Sequence, residues 1–124
     1  MSDPWREHRF APKAGTELCR IESLPHEEGK EFVFGESESK WPFRMFVVRR
    51  GGEVRGFVNA CPHVHLTLNY FPDRFVTHDK AYILCANHGA VFNHDDGHCI
   101  AGPCAGQDLE PVPVVIEEGM IQIA

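Results

Sequence analysis

The sequence has no long apolar run. The longest local one lies near residues 43–48, far short of the roughly 20 consecutive apolar residues that cross a bilayer. A signal-peptide pattern is missing as well: the opening MSDPWREHRF is polar and has no apolar stretch behind a basic start. The expectation is a protein of the cytoplasm with no membrane partner. Basic residues are scarce, 12 Lys and Arg against 18 Asp and Glu, for a formal charge of −6. Phosphate neutralisation needs a basic face, so nucleic acid is not an expected partner. No extended 3.6-residue periodicity and no internal repeat are visible. Nor is any nucleophile-and-base pair or oxyanion arrangement, so no catalytic site or substrate pocket of its own is expected. A length of 124 residues allows one domain.

What is present is a series of short extended runs cut by nine Pro and eleven Gly. Candidate strands cover 17–21, 31–35, 43–49, 53–59, 82–85, 90–93, 98–100, 112–116 and 120–124. Gly51-Gly52 between two such runs is a strong hairpin signal, because glycine takes positive φ at no steric cost. Asp95-Asp96-Gly97 and Glu117-Glu118-Gly119 mark two more turns. The least regular interior stretch is 69–80. Residues 1–14 read as a loosely held arm, followed by one domain over 15–124. This punctuation predicts a small all-β sandwich or barrel.

The unusual counts are five Cys and eight His. Four of the Cys and six of the His fall between positions 61 and 104. In a reducing compartment such clustering favours metal or redox chemistry over disulfides. Two pairs carry the signal. Cys61-Pro62-His63 has C-x-H spacing just after the second strand of the Gly-Gly hairpin. Cys85-Ala86-Asn87-His88 has C-x-x-H spacing directly after another strand. Each pair sits where a strand gives way to a loop, and the two loops must meet through the fold. Tetrahedral zinc accepts two Cys and two His. However, zinc fingers usually pair Cys with Cys and His with His. Here each loop supplies one of each, which suits a binuclear cluster with both thiolates on one iron and both imidazoles on the other.

With those residues in hand, the sequence resembles the Rieske iron–sulfur family over 18–124. The most specific part is Cys61-Pro62-His63 together with the segment from Cys85 through His88, Gly89 and Ala90 to Phe92. Gly97 and Gly102-Pro103 fit the family's glycine and the proline loop that covers the cluster. The resemblance implies stacked small antiparallel sheets with a cluster-binding tip formed by two loops. It implies one [2Fe–2S] cluster held by Cys61 and Cys85 on one iron and by His63 and His88 on the other. His65, Ala90, Phe92, Gly102 and Pro103 are expected around it. Neutral imidazoles on one iron raise the potential over an all-Cys cluster. Oxidation makes those imidazoles more acidic, which couples potential to pH at the alkaline end.

Several departures from the family pattern sharpen the expectation. High-potential members carry an extra Cys in each loop, joined as a disulfide; Leu66 and Asn87 stand there instead. Ser and Tyr hydroxyls that bond cluster sulfurs in those members correspond to Ala90 and Phe92, which have none. Fewer donors mean a potential near the low end of the Rieske range. His65 stands where many relatives have Gly. Outside the ligand set, His65, His94 and His98 read as solvated loop residues, with His65 the best placed for a supporting or partner contact. Cys19 reads as a small buried apolar residue, and Cys99 and Cys104 as two thiols rather than a disulfide. The acidic residues at 27–28 and 36–38 read as solvated faces that could steer a basic partner.

The functional expectation is a stand-alone Rieske-type ferredoxin, not itself an enzyme. In that role it takes one electron from a flavin reductase and passes it to a ring-hydroxylating or related terminal oxygenase. A complete oxygenase subunit needs a second domain with a 2-His-1-carboxylate iron site, which this length cannot supply. The absent membrane anchor argues against a respiratory-complex subunit. Two alternatives remain: a small Rieske subunit of a larger, nitrite-reductase-like oxidoreductase, and a zinc-stabilised binding module without redox chemistry.

Overall fold

The computed structural model describes residues 4–25, 27–60, 67–69, 73, 75–77, 79–86 and 89–124. Nine strands run through them in chain order: β1 Glu17–Arg20, β2 Gly29–Phe34, β3 Phe43–Arg50, β4 Glu53–Val58, β5 Ile83–Leu84, β6 Val91–Phe92, β7 Cys99–Ala101, β8 Val114–Glu117 and β9 Met120–Ile123. The only helical pieces among the described residues are two short 3-10 turns, Pro4–Glu7 and Ile21–Ser23. The strands form three antiparallel sheets of three strands, ordered β1-β9-β8, β2-β3-β4 and β5-β6-β7. The expected all-β class and stacked small sheets are what is found. Every candidate strand is present, with no end moved by more than two residues.

Central to the packing is β3. Its sequence FRMFVVRR is apolar on both faces, so side-chain alternation feeds two cores at once. Phe46 and Val48 point into a core shared with Phe57, Phe75, Ile83 and Phe92 under the β5-β6-β7 sheet. Met45 and Val47 point the other way, to Leu24, Val112, Ile121 and Ile123. Phe46 stacks on Phe75 with ring centroids 4.3 Å apart and planes 4° from parallel. One strand therefore ties the sheet that leads into the second Cys–His loop to the sheet that closes the chain.

The turns follow the local chemistry. Gly51-Gly52 joins β3 to β4 as a two-residue hairpin, with Arg50 opposite Glu53 and Gly51 at φ +63°. Glu118 and Gly119, at φ +50° and +82°, turn β8 into β9. Two positive φ values in a row suit a type I′ turn, whose twist matches the flanking strands.

Two expectations change. The residues read as a loose arm include Trp5, which is buried in the second core. Its backbone N–H donates to Glu110 Oε2 at 2.7 Å, and Arg6 donates to the Ala124 carbonyl at 3.2 Å. A Trp near the start can bury far more apolar area than the polar residues around it suggest. The other change is His94. It is buried rather than solvated, and among the described residues neither ring nitrogen has a hydrogen-bond partner, the Asp95 carboxylate lying 3.7 Å from Nδ1. The β6–β7 turn folds back over the core and takes the imidazole with it. Cys19 is partly buried against the second core, close to its expected role.

Candidate metal centre

Of the four predicted ligands, Cys85 lies among the described residues; Cys61, His63 and His88 lie outside them, as do His65, Leu66 and Asn87. What the structure describes is the frame that holds the two loops. Cys85 follows β5 and is fully buried. Its N–H donates to the Ala90 carbonyl at 2.8 Å, and its carbonyl accepts from Gly89 N–H at 3.0 Å. These bonds tie together the described ends of the second loop, between β5 and β6. Gly89, at φ +73°, supplies the left-handed step on its return.

Asn59 clamps the first loop at both ends. It is buried at the end of β4, two residues before Cys61. Its Oδ1 accepts the Leu68 N–H at 2.8 Å, from beyond the far end of the loop. Its Nδ2 donates to Glu31 Oε2 at 2.6 Å and to Asn69 Oδ1 at 3.0 Å. Leu68 then reaches the second loop: its carbonyl accepts the Ala86 N–H at 2.8 Å. One short chain of contacts, Asn59 to Leu68 to Ala86, thus joins the ends of the Cys61 loop to the residue after Cys85. Sequence reading missed Asn59 because it was counted as the end of a strand. The available signal was an amide residue at a strand-to-loop boundary, where side-chain bonds to backbone are favoured.

The residues expected around the cluster fall into two groups. Ala90 and Phe92 are both fully buried. Gly102 and Pro103 are exposed in the turn after β7. Gly102 has φ +98°, and a Cβ built there would lie 2.7 Å from the Ala90 Cα. Only glycine allows the turn to press this closely on the chain leaving the second loop. His98 is half exposed, with Nδ1 2.6 Å from Asp108 Oδ1. An open groove of about 740 Å³, lined by Trp5, His8, Trp41 and Phe43 among others, borders the first loop at Ala60 and Thr67.

The donor set fits an iron–sulfur group. Two thiols and two imidazoles are supplied by loops whose described ends are tied together, and the one described sulfur is shielded from water. These features define a small all-β domain whose paired loops, with two Cys and two His in their sequence, suit a metal cluster. A family model of the Rieske [2Fe-2S] domain matches residues 15–116. The chain belongs to that family, and its cofactor is one [2Fe–2S] cluster.

Solved structures carry the same fold. The ferredoxin of carbazole 1,9a-dioxygenase from Nocardioides aromaticivorans IC177 is 22% identical, with TM-score 0.67 over 88% of this chain and 97% of its own. A Sphingomonas yanoikuyae B1 ferredoxin is 26% identical, with TM-score 0.63 over 88% of this chain and 96% of its own. The terminal oxygenase of carbazole 1,9a-dioxygenase from Novosphingobium sp. KA1 is 18% identical, with TM-score 0.69 over 89% of this chain but 30% of its own. No curated protein matches the sequence.

Proposed function

We propose that this protein is a one-electron carrier that takes electrons from a flavin reductase and delivers them to a terminal oxygenase of the ring-hydroxylating type. Cys61 and Cys85 hold one iron of the cluster, and His63 and His88 hold the other. When bound, the group supplies reversible one-electron transfer. The chain's part is to hold four ligands in a rigid frame, so that little rearranges when charge arrives. Asn59, Leu68 and Ala86 perform that work by tying the two loops together. Burial of Cys85 keeps water from its sulfur.

The reading rests on the Rieske domain covering most of the chain, together with that clamp. It is supported by structural neighbours that are ferredoxins, one of them in a complex of reduced oxygenase and oxidised ferredoxin with TM-score 0.70 at 19% identity. The cluster domain spans 15–124, preceded by 1–14. No described helix is long and apolar enough to cross a membrane; the cytoplasm is the proposed site of action.

Reconstitution tests this directly. The purified protein is mixed with NADH, a flavin reductase and a ring-hydroxylating oxygenase. The expected result is bleaching of the cluster chromophore by the reductase, and product formation that depends on this protein. A protein that is colourless and binds zinc after anaerobic preparation, or one that no reductase bleaches, overturns the reading.

A further inference from the structure

Cys99 and Cys104 have no part in the ligand set. Cys99 opens β7, and Cys104 lies in the turn that follows it. Both are buried, each 1% exposed. The Cys104 thiol donates to Cys99 Sγ at 3.1 Å, and the Cys99 thiol donates to the Ala101 carbonyl at 3.2 Å. The backbone holds the sulfurs in this contact. Cys99 N–H donates to the Gln107 carbonyl at 2.8 Å, and Gly106 N–H returns to the Cys99 carbonyl at 3.1 Å. Gln107 N–H donates to the Cys104 carbonyl at 2.9 Å. The fold has thus already brought the two reacting atoms together, which removes most of the entropic barrier to joining them. The cover is thin: Gly102, Pro103, Ala105 and Gly106, on either side of Cys104, are exposed.

We propose that Cys99 and Cys104 are a reversible oxidation site that closes an intramolecular disulfide with hydrogen peroxide. One sulfur attacks a peroxide oxygen, the O–O bond breaks, and a sulfenic acid and one water result. The second thiol then attacks the sulfenic sulfur. The S–S bond forms and a second water leaves, so the two thiols give up two electrons and two protons to one peroxide. A dithiol reductant reverses the step by thiol–disulfide exchange. The ring so closed contains Gly102-Pro103, the turn that presses on Ala90. Oxidation therefore locks the cover beside the second loop. This site is independent of the electron-carrier reading, since it needs only the two thiols.

The test uses the cluster-loaded protein, one equivalent of peroxide, denaturation in an alkylating agent and peptide mass mapping. Absorbance of the cluster is recorded before and after. The expected result is a mass loss of about 2 Da from the two thiol hydrogens. A peptide linking Cys99 to Cys104 appears, Cys19 is still alkylated, the chromophore is retained, and dithiothreitol restores both thiols. Cys99→Ser and Cys104→Ser each abolish the linked peptide. The proposal is overturned if both cysteines remain alkylatable, or if either pairs instead with Cys61 or Cys85. It is equally overturned if sulfinic acid forms without a cross-link, or if the cross-link appears only once the chromophore is lost.

Discussion

Asn59 makes three side-chain hydrogen bonds, to Leu68, Glu31 and Asn69, at the described ends of the first Cys–His loop. Replacing it with Ala leaves the Leu68 N–H buried with no acceptor and strips a donor from Glu31. An unsatisfied buried group of this kind costs about 1–3 kcal/mol. Asn59→Ala should lower the urea midpoint accordingly and shorten the half-life of the cluster chromophore in air; unchanged values for both would remove its role as a clamp. His94 makes a separate prediction. Burial holds its pKa below the ordinary histidine value, Arg50 and Arg55 push the same way, and Asp95 opposes them only in part. The unfolded chain therefore takes up a proton near pH 6.5 that the folded chain resists. Below that pH the unfolded state binds more protons, so stability is full above it and falls as pH drops through it toward the lowered folded value. His94→Gln should flatten the stability profile between about pH 7 and 5; an unaltered slope in denaturant unfolding would contradict this. Neither residue was legible in sequence. A buried imidazole and a surface one share a letter, and only the fold of the β6–β7 turn separates them.

Strands were legible because their chemistry is local. The Gly51-Gly52 hairpin and the Glu118-Gly119 turn follow from residues that accept positive φ, and register then propagates from each turn. Less legible was which apolar strand faces two cores. A continuous apolar run such as 45–48 reads equally as a buried strand or part of a buried helix, and sheet partners decide. The docking of Trp5 was hidden for a similar reason, because its contacts with Phe43 and Glu110 are remote in sequence. Phe46 tests the role of β3. Its ring stacks on Phe75 beneath the sheet that leads into the second loop. Phe46→Ala should destabilise by about 3–5 kcal/mol, in the range for deleting a buried aromatic ring. Chemical denaturation measures it, and a loss under about 1 kcal/mol would show that the Phe46 ring does not anchor β3 in the core beneath that sheet.

At the scale of the whole molecule, the family and its cofactor were the most legible features, since alternating Cys and His at two strand-to-loop junctions restrict the chemistry sharply. What brings those junctions together was not legible, because it is a relay of single hydrogen bonds through Asn59, Leu68 and Ala86. The surroundings also set the working potential. Ala90 and Phe92 offer no hydroxyl, so less of the added charge is stabilised. The midpoint should lie near about −150 mV, the low end of the Rieske range, rather than near +300 mV. Ala90→Ser or Phe92→Tyr should raise it; a wild-type midpoint well above about 0 mV in a redox titration would refute the argument. The central claim is that two histidines ligate one iron. Pulsed EPR of the reduced protein, made with nitrogen-15 histidine, tests it most directly. The account predicts couplings from two histidine nitrogens, with one lost in His63→Cys and the other in His88→Cys. Absence of histidine coupling, or both couplings surviving in either variant, would contradict it.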